Sequence, residues 1–425
     1  MTLRDSIEFF DPLYGHFSIR EEMARLVFLP PVQRLRHVRL SNIDSLTMPG
    51  ISGLSRYEHV LGAYFLATQS SLARKLSRED RLVLQAAALL HDWAITPSGH
   101  LVAEAFAFLG RELDHELKLG QLLDAHDPSE IGGAQRQMLY GRESGLIQWA
   151  KEVFATDWER RLNEITTAIS GKGKFGPCIC GSLDVDNLDN VSRIAFHMGL
   201  DFDRQLPLKI AHAIMDCIDG HMVFETNGVA LLIDAWLQLR TNVYEHLMTS
   251  RLDFSGKLML IHASMWAYQD GLLKPSDWVM NDLDFFGLLL NGSSKRVKEV
   301  VQRWFCGEPW SLTNLVWFES SQPPTFDAVR EFSEELSKLL KKDCYAYRIK
   351  DKRTRRIQVW TQSGQTIPIG KDSHYWLLGV GTPKKEEFSV AEEGKFVQAA
   401  ATFFKAVPAR KADSASGETS DLFVH

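Results

Sequence analysis

Residues 80–91, DRLVLQAAALLH, are apolar almost all round. A helix of that pattern is covered on most sides, so the chain has to build a helical core around it. Ser77, with Asp80 three residues on, marks its start. Roughly 14 residues later, an ordinary helix length, it delivers His91 and Asp92 at its far end. An imidazole and a carboxylate placed beside a buried helix are costly unless they are paired or bind a cation. What they pair with is the question on which the chain's function turns.

The length, 425 residues, allows a large core and roughly two to three domain-sized pieces. The chain is 45% hydrophobic and 24% charged, as soluble globular proteins are. Its formal charge of −6 supplies no global positive field, so nucleic acid is not the expected partner. Five cysteines, Cys178, Cys180, Cys217, Cys306 and Cys344, are too few for a disulfide framework and suit a reducing compartment. No apolar run reaches a membrane span, and the polar, acidic MTLRDSIEFFDP is no signal peptide. The chain therefore reads as cytoplasmic.

Helical periodicity dominates residues 17–335, with further helices expected over 227–248, 256–268 and 326–342. After SSQPPTF (320–326) the texture changes. CYAYRI (344–349), RIQVW (356–360) and YWLLGVG (375–381) read as strands, the first two as a hairpin around the charged turn KDKRTR. The expected organisation is a helical domain over 1–320, a small α/β appendage over 321–407 and a disordered tail over 408–425. The overall class is mainly α.

Two more helix starts bear on the His–Asp pair. Ser55 with Glu58 forms a capping box, which places His59 in the first turn or two of a helix from Arg56. In SLDVDNLDNVSRIAFHMGL (182–200), Val185, Leu188, Val191 and Ala195 recur at helical spacing. Asp186, Asp189, Asn190 and Arg193 then share the polar face. His59, His91, Asp92 and Asp186 would offer two nitrogens and two oxygens, a set suited to one divalent ion such as Fe, Mn, Co or Zn. The plainer alternatives are a satisfied core histidine at position 59 and a helix-capping aspartate at 186.

DPLYGHFSI, VQRLRHVRL, MPG, SRYEHVLGAYFLA, ALLHD and LDVDNLDNVSR occur in that order. Together they resemble the HD-domain deoxynucleoside triphosphate triphosphohydrolases, over about residues 8–120 and again at 182–200. The resemblance implies that His59, His91, Asp92 and Asp186 hold the metal, of unknown identity, Mg included. It implies that Arg56 contacts phosphate and that His100 helps protonate the leaving oxygen. His115 and Glu116 would lie near the phosphates, and Tyr244 would pack against the sugar. The implied reaction cleaves a dNTP into deoxynucleoside and triphosphate. A homo-oligomer, an activating nucleotide and a role in phage defence are implied by the same resemblance.

The chain departs from that pattern at several positions. Ile95 replaces a histidine, and Glu104 lies one residue after Ala103, where an acid is expected. One residue is about 100° of helix, which leaves open whether Glu104 serves. Asn187 and Asn190 stand at the lysine and tyrosine that face the substrate, and Trp236 stands at an arginine, for which Arg240 is the candidate substitute. Lost cations weaken the grip on a tetra-anion by about 1.5–3 kcal/mol each. Two alternatives follow: an HD phosphohydrolase of monophosphates or other phosphoesters, and a nucleotide-sensing or partner-regulated module of weak catalysis. SGKGKFG (170–176) lacks the phosphate-loop pattern, and Cys178 with Cys180 lacks a second ligand pair for zinc. The eight bases between Lys341 and Arg356 read first as a solvated hairpin face and second as a polyanion contact.

Overall fold

The computed structural model describes residues 6–41, 46–111, 113–116, 120, 145–320 and 322–412. Strands β1 (Ser6–Asp11) and β2 (Gly15–Arg20) form an antiparallel hairpin. The helices that carry the site follow: α1 (Arg56–Gln69), α2 (Arg78–Leu90), α3 (Leu101–Phe108) and α4 (Val185–His197). Next come β3 (Ile214–Ile218), β4 (His221–Phe224), α5 (Val229–Thr249) and α6 (Arg251–Gln269). The last third holds β5 (Ser311–Leu312), β6 (Leu315–Glu319), α7 (Phe326–Leu340), β7 (Tyr345–Lys350), β8 (Ile357–Thr361), β9 (Thr366–Ile369), β10 (Tyr375–Thr382), α8 (Val390–Phe404) and β11 (Val407–Ala412). The class is mainly α with a smaller α/β part. No described helix is long and apolar enough to cross a membrane.

Helix starts follow local chemistry. Ser55, Ser77 and Asp184 cap α1, α2 and α4 by accepting the N–H three residues on. The capping box expected at Ser55 forms only in half: the Glu58 carboxylate turns away to accept from Arg193 and His197. Leu82–Leu90 of α2 is buried at every position but Gln85, so this helix is the axis of the first core.

The strand pairing differs from expectation. β7 and β8 do not form a hairpin. β7 pairs with β10, in a sheet that β6, β11 and β5 complete, whereas β8 pairs with β4 and β9. The segment between them, 351–356, crosses from one sheet to the other. The reason lies in the side chains: Ile357, Val359 and Ile369 bury in the helical core, while Ala346, Tyr347 and Ile349 bury in the second core. That second core also takes α3 and most of α6. The expected cut at residue 320 therefore separates no independent core. The expected disordered tail also starts too early, because β11 pairs with β6 through residue 412. Residues 413–425 lie outside the described ones.

In the second core His262 of α6 is buried among Trp266, Trp310 and Tyr345, and its Nε2 has no hydrogen-bond partner. Burial pushes its pKa from 6.5 down to about 3. The folded form thus takes up its proton later than the unfolded form as pH falls. Stability from this group is complete above about pH 6.5 and declines as pH drops toward 3. At pH 5 the deficit is about 2 kcal/mol. Melting temperatures at pH 7.5 and 5 will show a smaller acid loss in His262→Phe than in the wild type. Equal losses would refute the assignment.

Candidate metal centre

Three helix ends meet at the site. α1 presents His59 one turn past its cap, α2 ends on His91, and α4 presents Asp186 in its first turn. His59 Nε2 stands 3.2 Å from His91 Nε2 and 3.0 Å from Asp186 Oδ1. His91 Nε2 is 3.7 Å from the same oxygen. Among the described residues these three form the one group whose donor atoms lie within 4.8 Å of one another. Asp92 joins from the side: its Oδ2 is 3.6 Å from His91 Nε2 and 3.8 Å from His59 Nε2, drawn off by Arg56 Nη1 at 2.6 Å.

The hydrogen bonds on the outer nitrogens decide what the inner ones can do. His59 Nδ1 donates to Asp189 Oδ2 at 2.7 Å, and His91 Nδ1 donates to the Ala88 carbonyl at 2.9 Å. With those protons on Nδ1, both Nε2 lone pairs point at each other and at a carboxylate. Two lone pairs 3.2 Å apart repel unless a positive charge lies between them. Donors bonded to one ion at about 2.1 Å and near right angles stand about 3 Å apart, so the residues present fit a divalent cation. Without one, burial opposes charge on His59, but Asp186 and Asp189 outweigh it and raise its pKa to about 9. Burial likewise opposes charge on Asp92, yet Arg56 and His91 hold its carboxyl well below the usual range.

Asp189 belongs to a second layer that the polar-face reading did not foresee. Arg193 binds both its oxygens, at 2.9 Å each, and reaches Asp11 at 3.0 Å and Glu58 at 2.6 Å. Asp189 and Arg193 are both 0% exposed. A Cβ on Gly62 would come within 1.9 Å of Asp189 Oδ1 and 2.3 Å of Arg193 Nη2. The glycine three residues after His59 is thus what lets α1 lie against the pair, and its position was the legible signal.

A cavity opens beside the centre. Arg56, His100, Glu104, Asn190 and Tyr244, all expected site residues, line it. Their states differ. Glu104 pairs with Lys257 at 2.9 Å and accepts from the Tyr347 hydroxyl, so it is a wall residue with its charge neutralised rather than a free base. Burial, Arg56 and His115 push His100 well below the usual histidine range. In the free protein the neutral imidazole is therefore favoured. Asn190 Oδ1 is buried without a hydrogen-bond partner. The Arg240 guanidinium stacks 4.5 Å from the Tyr244 ring, with Nε and Nη1 unpartnered.

His115 Nε2 lies 3.6 Å from Asp92 Oδ1, with its ring 5.0 Å from that of His100. Two expected substrate contacts are committed elsewhere. Asn187 donates to both oxygens of Asp184, completing the cap of α4, and Glu116 accepts from the Cys180 thiol. Sequence reasoning did not foresee Lys257, Tyr347, Arg348, Lys350 and Lys352 on the cavity wall.

No family model matches the chain. Among curated proteins it is similar to deoxynucleoside triphosphate triphosphohydrolase SAMHD1 of Danio rerio, 27% identical over 48% of this chain and 36% of that protein. The SAMHD1 proteins of Homo sapiens and Bos taurus match at 32% over 47% of this chain and at 25% over 57%. The chain covers only 35% and 45% of those two relatives. Among solved structures, a phosphohydrolase of Bacteroides thetaiotaomicron superposes with a TM-score of 0.63 at 16% identity, covering 89% of this chain and 100% of that one. The fold is shared with that phosphohydrolase. The SAMHD1 likenesses extend over about half of this chain and less than half of those proteins.

Proposed function

We propose that the chain is a metal-dependent nucleotide phosphohydrolase whose substrate is a dNTP and whose products are deoxynucleoside and inorganic triphosphate. The observation that carries this reading is the convergence of His59, His91 and Asp186 beside a cavity walled by cations. His59, His91, Asp92 and Asp186 would hold the ion. Once bound there, a divalent cation lowers the pKa of a water and neutralises charge on phosphate.

The rest is the work of the chain's own residues. Arg56 orients Asp92 and lines the cavity, where its guanidinium can meet a phosphate oxygen. His100, neutral in the free protein, gains proton affinity beside a polyanion, which suits it to protonate a leaving oxygen. His115 lies next to both His100 and Asp92. The Tyr244 ring, braced by Arg240, offers a flat face to the sugar. An antiviral role through dNTP depletion belongs to the same reading.

The purified protein, loaded with Mn, Mg or Co, will be incubated with each dNTP, NTP and dNMP and its products separated by anion exchange. The expected result is triphosphate with the free deoxynucleoside. Orthophosphate would favour the phosphoester alternative. Binding without turnover, mixed nucleotides included, would favour the sensing module.

A further inference from the structure

The segment linking β7 to β8 is pinned at alternate residues. Asp351 is buried and accepts from the Arg353 side chain and from Ser373. Arg353 also binds Glu245 of α5 at 2.7 Å and lies 4.0 Å over the Trp317 ring. Arg355 donates to the Ser182 carbonyl, just ahead of α4. The segment therefore spans from the second sheet, past α5, to the start of the helix that carries Asp186. Lys352, between the first two anchors, and Lys350, just ahead of the first, line the same cavity as Arg56, His100 and Tyr244.

The charges on that wall do not balance. Arg56 has Asp92 and Lys257 has Glu104 as acid partners. Arg348 donates to the Pro324 carbonyl, which carries no charge. Among the described residues, the side chains of Lys350 and Lys352 have no hydrogen-bond or ion-pair partner. The charge of Lys352 contributes to the shifted proton affinities of His100, Glu104, Tyr244 and Lys257, groups from three sides of the cavity. The helical domain, meanwhile, is short of cations. Asn187 is tied to Asp184, and Trp236, fully buried, stands where an arginine was expected.

We propose that Lys350 and Lys352 form the polyphosphate grip of this site, so that the second sheet, and not the helical domain, holds the distal phosphates of the substrate. The inference rests on the nucleotide-hydrolase reading for the identity of the substrate. A chain of linked phosphates fits better than a single one. Two ammonium groups two residues apart, lining the same cavity as Arg56, match charge spread along a polyanion. A lone phosphate beside Arg56 leaves them unused.

Inorganic tripolyphosphate and orthophosphate serve as probes in calorimetric titrations of the metal-loaded protein. The wild type should bind tripolyphosphate and discriminate against orthophosphate. Lys350→Ala with Lys352→Ala should weaken tripolyphosphate binding at least about tenfold, with metal content unchanged. Lys350→Arg with Lys352→Arg should restore it. In turnover, the alanine pair should raise KM for triphosphates and leave kcat within a few-fold. Binding by the alanine pair within twofold of wild type, or no tripolyphosphate binding by the wild type, overturns the grip. If the wild type hydrolyses no nucleotide yet binds tripolyphosphate through these lysines, the hydrolase reading falls and the grip stands.

Discussion

Asp186→Ala will lose its divalent cation and at least about a thousandfold of nucleotide hydrolysis while keeping its fold. Asp186 Oδ1 is the oxygen that stands close to both imidazoles, at 3.0 and 3.7 Å. Asp92 cannot take its place, because its Oδ2 is held at 2.6 Å by Arg56. Without Asp186 the centre keeps two imidazoles and one carboxylate already paired with a guanidinium. Ligand loss costs more than loss of a supporting hydrogen bond, which alone is worth about 10–100-fold in metal affinity. Turnover falls with the ion, since activation of water and charge neutralisation both depend on it. The fold should survive, because the Asp186 side chain is 31% exposed and caps nothing; Asp184 does that. Elemental analysis and circular dichroism on the same sample separate the cases. Unchanged metal content in Asp186→Ala would remove this centre as the metal site.

The helix ends at this centre were legible because they rest on short-range chemistry. A serine three residues before an acid caps a helix in isolation or in a protein, so Ser55 and Ser77 placed His59 and His91 correctly. What was not legible depends on partners distant in sequence. The charged stretch 350–356 has the polarity of a hairpin turn, and nothing local says that Tyr347 and Ile349 belong to one core and Ile357 and Val359 to another. The basic run suggested a polyanion contact, but nothing local placed Lys350 and Lys352 on the same cavity as Arg56. Glu104 shows the converse case. Its position in sequence left its role open, and in the fold Lys257 reaches both its oxygens while Tyr347 donates to one. The polar face of α4 misled in a third way. Asp189 and Arg193 at i and i+4 look like a solvated ion pair, yet α1 covers them because Gly62 offers no side chain to hold it off.

That covered pair supports the largest stability prediction. Arg193→Met will cost about 3–5 kcal/mol, the usual penalty for leaving buried carboxylates without their counter-charge. Arg193 serves three acids, and with methionine in its place Asp189 and Asp11 would stay buried with no cation, and Glu58 would keep only His197. Methionine fills much of the volume, so the loss is electrostatic more than a packing defect. The melting temperature should fall by roughly 10 °C. Asp189→Asn should behave differently. The amide keeps the shape and part of the Arg193 contact, so stability drops less. The hydrogen bond that orients His59 weakens, however, and metal affinity falls about 10–100-fold. The two variants thus separate holding the helices together from aiming an imidazole. If Arg193→Met melts with the wild type, the network contributes no net stability. If Asp189→Asn keeps full metal affinity, the His59 ring is aimed by packing alone.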